Sequence, residues 1–458
     1  MIKSVHDFNQ PFFIGIAGAG MSAIAQYLKE AGKNVSGSDR FFSTNEAGGI
    51  REKLEAAGIS CFPQDGSGIG PGTDLIVVST AVEDSVPEVK KAKEAGIPIL
   101  KRSELLALIV ANRKTIAVGG TSGKSTTSAM LFDILRQAGM EPGIISGAGL
   151  TRLIKEGKTG NAAMGKGEWL VIEADESDGS IVQYHPAIGL LLNVDKDHKE
   201  IEVLMDVFMQ FRNNSDRFIV NQSHPLAASL SANTSQDFST DADKPAGYLA
   251  TGFEQEGMHT RFRINDEPFE LQLPGRHNME NALAAAAAAA QVGVPLDIAA
   301  AALKNYEGIY RRSQVLGRKH GVWVVDDFAH NPVKCAAAIA SCQPVAPKVI
   351  AWLQPHGYGP TRFLRHDFVK EIGQVLREGD EIWMSEIFYA GGTAVKDISA
   401  GDLIGDLQAN GKQAYFVEDR NKLLEVMRPH FTGNCVLLLM GARDPSLEQF
   451  SQSVWEQL

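Results

Sequence analysis

The stretch at residues 116–127, IAVGGTSGKSTT, constrains the fold of this chain more than any other part of the sequence. An apolar run ends at two glycines, and Lys124 and Ser125 then open a segment with helical character. A strand, a glycine-rich turn and a helix in this order let backbone N–H groups face a polyphosphate, while the lysine adds positive charge and the hydroxyl can bind Mg²⁺. The usual spacing has a glycine where Val118 stands, so the loop is a variant form. A glycine-rich turn that meets Lys-Ser by chance is the alternative.

We therefore predict that the chain binds ATP or GTP through this loop. The residues expected to hold the nucleotide are Gly120, Thr121, Ser122, Gly123, Lys124, Ser125 and Thr126.

Length, composition and charge limit the class of protein. A chain of 458 residues suggests about three domains. The formal net charge of −11 argues against a nucleic-acid partner, because a phosphate backbone needs a basic surface. The four cysteines lie far apart, which suggests neither a disulfide framework nor a zinc site. Since the start of the chain lacks signal-peptide features and no apolar run approaches the ~20 residues of a membrane span, we expect a cytoplasmic protein without a membrane partner.

A second glycine turn lies near the start of the chain. A predicted strand at residues 12–16 leads into Gly18, Gly20 and Ala23, which fit the G-x-G-x-x-A dinucleotide fingerprint. Asp39 follows about 20 residues later, after a predicted strand at residues 34–36, and is a candidate ribose ligand. The fingerprint would suit NAD, FAD or a UDP-sugar equally, and a tight turn without any ligand is the remaining alternative.

Two acidic segments follow apolar strands downstream of the lysine loop. A predicted strand at 169–172 runs into EADESD at 173–178, and another at 187–192 runs into NVDKDH at 193–198. Ligand groups gather at the carboxyl ends of strands in open α/β sheets, and carboxylates beside a phosphate loop are natural ligands of Mg²⁺. Residues 221–265 look irregular and polar.

A third block of alternating strands and helices begins near Arg312. Its predicted strands lie at 322–325, 349–353, 381–384 and 436–440, with a helical stretch at 368–376. This alternation indicates a further, mostly parallel sheet, so the fold class is α/β.

Taken in order, these motifs resemble those of the Mur ligase family, the ATP-dependent amide-forming enzymes of peptidoglycan synthesis. The resemblance covers essentially the whole chain, and its segments include GIAGAGMSAIA at 15–25, GGTSGKSTT at 119–127, EADESDGS at 173–180, NVDKDH at 193–198, GRHNMENALAA at 275–285, YRRSQVLG at 310–317, VDDFAHNP at 325–332 and LQPHGYGPTR at 353–362. It implies a three-domain architecture: a Rossmann-like UDP-sugar domain at 1–111, a central P-loop ATPase domain at 112–311 and a Rossmann-like amino-acid domain at 312–458.

The resemblance also implies an activity. The chain is most similar to members that join L-alanine to the carboxylate of UDP-N-acetylmuramate, through an acyl phosphate, with ATP and Mg²⁺. The implied partners are small-molecule substrates only, and the chain would be a monomer or a homodimer.

Site residues carry over from the family position by position. The implied catalytic residues are Lys124, Glu173, His198 and Arg312, and the implied metal-site residues are Ser125, Glu173 and His198. Beyond the lysine loop, the nucleotide would also contact Asn278, Asn281, Arg312 and Asp327. The UDP-sugar would bind at Gly18, Ala19, Gly20, Met21, Ser22, Asp39 and Ser79, and the acceptor at His330, His356 and Arg362.

The acceptor loop departs from the family pattern. Alanine-adding members have two arginines that face the acceptor carboxylate, and Gly357 and Pro360 stand at those positions. Arg362 or Arg365 could compensate, or the acceptor could differ. The FAHNP segment at 328–332 is closer to folylpolyglutamate synthases and to the recycling ligase that adds a preformed peptide. The recycling ligase, however, normally lacks GAGMS and QPHxY. A non-catalytic ATP-binding regulator, and an NAD-dependent dehydrogenase suggested by the first glycines alone, are the alternatives of other classes.

Overall fold

The computed structural model describes residues 2–43, 49–79, 82–177, 179–195, 200–389, 395–444 and 446–458. The chain forms two compact units. One consists of Met1–Phe253, Arg261–Leu271 and His277–Ile309, and the other of Glu254–Thr260, Gln272–Arg276 and Tyr310–Leu458. Within the described ranges, no helix has the length and apolar character needed to cross a membrane.

The first part of the chain forms a five-stranded parallel sheet. Its strands are β1 (Pro11–Ile14), β2 (Ser36–Asp39), β3 (Ser60–Pro63), β4 (Leu75–Val78) and β5 (Ile99–Lys101). Its helices are α1 (Ala19–Glu30), α2 (Ile50–Ala56), α3 (Pro87–Ala95) and α4 (Arg102–Ala111), with a 3₁₀ turn at Arg40–Ser43. The strand order β3-β2-β1-β4-β5 is that of a doubly wound sheet.

The strand predicted at residues 34–36 is displaced in the structure. Strand β2 starts only at Ser36, which pairs with Phe12, and runs through a Ser-Gly-Ser-Asp segment of low strand propensity. Because β2 lies between β1 and β3, pairing on both sides outweighs that propensity.

The central sheet contains the strand that leads into the lysine loop. Its strands are β6 (Lys114–Gly119), β7 (Gly143–Ile145), β8 (Ala162–Ala163), β9 (Trp169–Glu173), β10 (Ile188–Leu191) and β11 (Arg217–Val220). They lie in the order β11-β10-β6-β9-β7-β8, and only β8 runs antiparallel to its neighbour. The helices are α5 (Lys124–Gln137), α6 (Thr151–Lys155), α7 (Ile201–Asn213) and α8 (Pro225–Ala228), with a 3₁₀ turn at Ser180–Gln183.

The prediction that residues 221–265 are irregular is wrong. A four-stranded sheet begins there, with β12 (Phe238–Ser239), β13 (Tyr248–Glu256), β14 (His259–Ile264) and β15 (Glu267–Leu271) in chain order. Exposed and buried residues alternate strictly along β14, so one face of the strand is polar. Because of that alternation, β14 contains no continuous apolar run that would predict a strand from the sequence. Two helices follow, α9 (Arg276–Ala290) and α10 (Leu296–Lys304).

The last part of the chain contains a six-stranded sheet. Its strands are β16 (Gln314–Lys319), β17 (Val322–Asp327), β18 (Lys348–Gln354), β19 (Glu381–Met384), β20 (Gln413–Phe416) and β21 (Cys435–Gly441). The order is β16-β17-β21-β18-β19-β20, with only β16 antiparallel. The helices are α11 (Pro332–Cys342), α12 (Tyr358–Phe363), α13 (Arg365–Val375), α14 (Ala400–Ala409), α15 (Leu423–Met427) and α16 (Leu447–Gln457), with 3₁₀ turns at Arg420–Lys422 and Arg428–His430. The predicted α/β class is confirmed.

Strand register explains how distant motifs come together. In the central sheet Val118 is level with Glu173, and Gly119 is level with Leu191. The lysine loop and both acidic segments therefore leave the sheet at the same carboxyl edge.

Candidate active site

The lysine loop makes two turns that require glycine. Gly120 has φ 135° and Gly123 has φ 84°, backbone angles that residues other than glycine rarely adopt. A Cβ on Gly123 would also lie 2.5 Å from Asn281 Oδ1. Since Gly123 is the residue that caps α5, the turn aims the helix N-terminus and its free N–H groups out of the sheet edge.

Lys124 folds back over this loop. Its Nζ donates to the Gly120 carbonyl at 2.6 Å and forms an ion pair with Glu176 Oε2 at 2.7 Å. The two side chains are only 16% and 6% exposed. Glu176 belongs to the first acidic segment but was not among the predicted site residues, because its spacing from Lys124 in sequence says nothing about the pairing.

Glu173 and Ser125, both predicted for the metal site, come together. Glu173 ends β9, and its Oε2 accepts a 2.9 Å hydrogen bond from Ser125 Oγ in the first turn of α5. Its Oε1 accepts from Ser146 Oγ at 2.5 Å and from the Gly147 N–H at 2.9 Å. A hydroxyl and a carboxylate are hard oxygen donors, the kind of ligand that Mg²⁺ prefers.

The third predicted metal-site residue, His198, lies outside the described residues. Among the residues that are described, no group of three or more His, Cys, Asp or Glu side chains is arranged to hold a metal ion. Ser125 and Glu173 thus fit a magnesium ion only as two of its ligands, with the others coming from phosphate, water or a further side chain.

Residues of the second acidic segment, which follows β10, form hydrogen bonds with the lysine loop. Asn193 Oδ1 accepts from Thr121 Oγ1 and from the Ser122 N–H, both at 2.9 Å. The Asp195 N–H donates to Thr121 Oγ1 at 3.0 Å, and the Asp195 carboxylate accepts from His224 at 3.2 Å, a bond that lowers the pKa of Asp195. Asn193 and Asp195 lie in the NVDKDH motif, but neither was among the predicted site residues.

Helix α9 contributes the two predicted asparagines, Asn278 and Asn281, both buried. Asn281 Oδ1 accepts from Thr127 Oγ1 at 3.2 Å, which joins α9 to the helix that follows the loop. Thr126, the last predicted residue of the loop, is partly buried in the first turn of α5.

The first glycine turn lies at the carboxyl edge of the five-stranded sheet. Gly18 caps α1, and the buried Asp39 at the end of β2 accepts from the Ala17 N–H at 3.0 Å and from the Phe41 N–H at 3.1 Å. Ser79 follows β4 on the other side of β1, so the register brings it to the same edge. Asp39 therefore holds the turn in shape whether or not it also contacts a ligand.

Not every residue predicted at this turn faces outward. Gly18 and Ala19 are exposed, whereas Met21 and Ser22 are buried in α1. A Cβ on Gly20 would lie 2.5 Å from Arg102 Nη1, so only glycine fits there with Arg102 in this position.

In the C-terminal unit, two predicted acceptor residues lie side by side. The ring centroids of His330 and His356 are 5.4 Å apart, and His330 Nδ1 donates to the Phe328 carbonyl at 2.8 Å. Burial lowers the pKa of His356 to about 4, and the proximity of the titratable His330 and of Arg443 lowers it further. Burial also lowers the pKa of His330, so both imidazoles are neutral near pH 7. The buried Nδ1 of His356 has no hydrogen-bond partner among the described residues.

The remaining predicted residues of this unit are engaged locally. Asp327 accepts from the Ala329 N–H at 2.7 Å and from Ser313, and the Arg312 guanidinium lies 6.0 Å from the Phe328 ring centroid. Arg362 is ion-paired with Asp397.

Both arginines that could replace the missing pair, Arg362 and Arg365, already have a carboxylate partner. Besides the Arg362–Asp397 pair, Arg365 pairs with Asp406 at 2.7 Å. Gly357 has φ 72°, so the backbone itself disfavours an arginine at that position.

Comparison with known proteins agrees with this geometry. Residues 12–114 match the model of the Mur ligase family, catalytic domain, residues 118–289 match the Mur ligase middle domain, and residues 311–443 match the Mur ligase, glutamate ligase domain. The chain is 34% identical to the UDP-N-acetylmuramate–L-alanine ligase of Syntrophomonas wolfei and 31% identical to that of Pelotomaculum thermopropionicum, with 94% of each chain covered in both cases.

Solved structures give the same result. The crystal structure of the UDP-N-acetylmuramate-alanine ligase of Thermotoga maritima superposes with a TM-score of 0.81 at 26% identity, covering 98% of both chains. A murein peptide ligase from Psychrobacter arcticus has a TM-score of 0.67 at 20% identity, again over 98% of both chains, and so shares the fold. With three family models in order along the chain and relatives above 30% identity over nearly all of it, this protein belongs to the Mur ligase family.

Proposed function

We propose that the protein is an ATP-dependent ligase that joins L-alanine to the carboxylate of UDP-N-acetylmuramate in peptidoglycan biosynthesis. The observation that carries the proposal is the convergence of Lys124, Ser125 and Glu173 at the N-terminus of α5. The alanine-adding activity named for relatives at 31–34% identity supports the choice of substrates.

The carboxylate is a poor acyl donor, because its oxygen is a bad leaving group. In the proposed reaction it attacks the γ-phosphorus of ATP and releases ADP, which gives an acyl phosphate. The acceptor amine then attacks the acyl carbon and phosphate leaves. Exclusion of water protects the acyl phosphate from hydrolysis.

The first step brings two anions together, so charge must be offset where they meet. Lys124 and the N–H groups at the start of α5 would bind the phosphates, and Lys124 would exchange its bond with Glu176 for one to phosphate. Ser125 and Glu173 would hold Mg²⁺, with His198 as a further site residue by resemblance. When bound, the ion neutralises the charge that develops between phosphate and carboxylate.

For the UDP-sugar we propose the edge formed by the Gly18–Gly20 turn, Asp39 and Ser79. The exposed N-terminus of α1 suits a pyrophosphate, and Asp39 suits a ribose hydroxyl. A dehydrogenase that uses NAD at this turn would leave Lys124, Glu173 and the rest of the central sheet edge without a role.

For the acceptor we propose the neighbourhood of His330 and His356. Because both imidazoles are neutral near pH 7, they add no positive charge that would repel the ammonium group of an amino acid. Arg312 and Asp327 would contact the nucleotide, as in the family pattern.

The domain limits 1–111, 112–311 and 312–458 and a monomeric or homodimeric state remain predictions. We further propose that the enzyme acts in the cytoplasm, where ATP and UDP-sugars are available.

A second candidate function is ligation of a preformed peptide to UDP-N-acetylmuramate. It is favoured by Gly357 and Pro360, neither of which offers a side-chain donor to the carboxylate of a single amino acid.

An acceptor screen separates the two functions. The protein is incubated with ATP, Mg²⁺ and UDP-N-acetylmuramate, with L-alanine or with L-alanyl-γ-D-glutamyl-meso-diaminopimelate, while ADP and product mass are followed. We expect the L-alanine adduct. The peptide adduct alone would support the second candidate, and the absence of ADP release with any acceptor would contradict both and favour a regulator.

A further inference from the structure

A buried polar network joins the first glycine turn to the central sheet inside the N-terminal unit. At its centre is Asn161, which is 7% exposed and directly precedes β8. Its Nδ2 donates to the Ala19 carbonyl and to Ser22 Oγ, both at 2.9 Å, and its Oδ1 accepts from Gln26 Nε2 at 2.8 Å. These three partners lie on α1, and Thr159 Oγ1 also donates to Asn161 Oδ1 at 3.1 Å. A single side chain of the central part thus holds the first two turns of the helix that the glycine turn begins.

The backbone of the same residue continues toward the candidate metal site. The Asn161 carbonyl accepts from the Ser146 N–H at 2.9 Å, next to the antiparallel pair of Ile145 and Ala162. Ser146 Oγ in turn donates to Glu173 Oε1 at 2.5 Å. Two residues, Asn161 and Ser146, therefore span the distance between the turn proposed for the UDP-sugar and the carboxylate proposed for the metal.

The network is built to hold one geometry. Every polar atom of the Asn161 side chain is bonded, and Asn161 itself is buried. A shift of α1 away from Asn161 would therefore leave the buried Asn161 Nδ2 without its two acceptors, Ala19 and Ser22. A ligand that fixes the first turn of α1 therefore also restricts Asn161, Ser146 and Glu173.

We propose that Asn161 is a positioning residue that couples binding of the UDP-sugar at the glycine turn to the orientation of Glu173 for the nucleotide and its metal. The inference rests on the proposed function, because it assigns the UDP-sugar and ATP to these two places. Each ligand supplies part of the ordering that the other needs, so the affinities of both rise by the same factor.

The test measures that factor directly. Calorimetry gives the affinity of a non-hydrolysable ATP analogue with Mg²⁺, with and without saturating UDP-N-acetylmuramate. In the wild type we expect the sugar nucleotide to tighten analogue binding at least about fivefold. In Asn161→Ala we expect the factor to fall below about twofold, while each ligand alone binds within about threefold of wild type.

The matched control is Lys158→Ala. Lys158 Nζ pairs with Glu30 at 2.7 Å and thus joins the same segment to the far end of α1, away from the glycine turn. Its loss removes a contact between this segment and α1 that lies outside the network, so the coupling factor should stay at the wild-type value. If Asn161→Ala fails to fold, Gln26→Leu removes one donor of the network and should lower the factor as well.

The outcomes are distinguishable. A factor that is unchanged in Asn161→Ala, or lowered equally in Lys158→Ala, overturns the coupling role of Asn161, as does a wild type without coupling. If the analogue binds but UDP-N-acetylmuramate does not bind the wild type, the proposed function itself fails and this inference fails with it.

Discussion

Ser125 Oγ donates a 2.9 Å hydrogen bond to Glu173 Oε2 and so joins the first turn of α5 to the end of β9. The two residues are 48 positions apart in the chain, and the parallel pairing of β6 with β9 brings them together. In the proposed function this pair would provide two of the oxygen ligands of Mg²⁺.

Glu173→Gln should abolish most turnover while ATP binding stays close to wild type. The amide keeps the shape but removes the negative charge that would hold Mg²⁺. A titration of turnover against Mg²⁺ checks this, with the exposed Glu168, changed to Gln, as the control. An unchanged Mg²⁺ dependence in Glu173→Gln would exclude Glu173 from the metal site.

Lys124→Ala should lower turnover by more than about tenfold, equivalent to ~1.4 kcal/mol of barrier. Alanine cannot offset phosphate charge, and the change also removes the buried ion pair between Lys124 and Glu176, so the melting temperature should fall. The double variant Lys124→Ala/Glu176→Gln should recover the melting temperature but not the activity. Retention of turnover by either variant would refute the assignment of the loop.

Gly357→Ala should destabilise the protein by about 1–2 kcal/mol, because Gly357 has φ 72°. Gly359→Ala is the matched control: it lies two residues later, inside α12, and a Cβ there meets nothing within 4 Å. Chemical denaturation of both variants measures the difference. Equal stabilities would mean that the backbone at Gly357 readily accepts a side chain, and hence that an arginine could be restored there.

Arg362→Ala tests whether that guanidinium replaces the missing arginines. Since Arg362 already pairs with Asp397, we expect the KM for the acceptor to change by less than about threefold, as for loss of an exposed ion pair. Steady-state kinetics with varied acceptor and saturating ATP decides the matter. A large rise in the acceptor KM alone would show that Arg362 leaves Asp397 to bind the acceptor carboxylate.

The stability of the C-terminal unit should depend on His356 between about pH 4 and 6.5. Burial lowers the pKa of His356 from its usual 6.5 to about 4 in the folded protein, so in this window the unfolded chain binds the extra proton and stability falls as the pH falls. Asp133, whose burial raises its pKa to about 6, acts in the opposite direction in the other unit. The difference between wild type and His356→Gln in pH-dependent denaturation isolates the histidine. A difference independent of pH across this window would contradict the lowered pKa.

Local patterns in the sequence were enough to predict the lysine loop, the α/β class and the acidic segments at strand ends, because each depends on neighbouring residues. The polar strands after residue 221 were missed because their alternation resembles a loop in composition. The pairings of Lys124 with Glu176 and of Asn161 with Ala19 were also missed. These contacts join residues 52 and 142 positions apart, and only the packing of the sheets and helices determines them.

The transfer of an oxygen atom from the sugar carboxylate to inorganic phosphate tests most directly whether the protein is an acyl-phosphate ligase. UDP-N-acetylmuramate carrying ¹⁸O in its carboxylate is incubated with the protein, ATP, Mg²⁺ and the acceptor that the screen identifies, and the inorganic phosphate is analysed by mass. If the carboxylate attacks the γ-phosphorus and the amine then displaces phosphate from the acyl carbon, each phosphate released carries one oxygen from the sugar carboxylate. We predict one ¹⁸O per phosphate at full labelling, and phosphate free of the label alongside amide product would contradict an acyl-phosphate ligase.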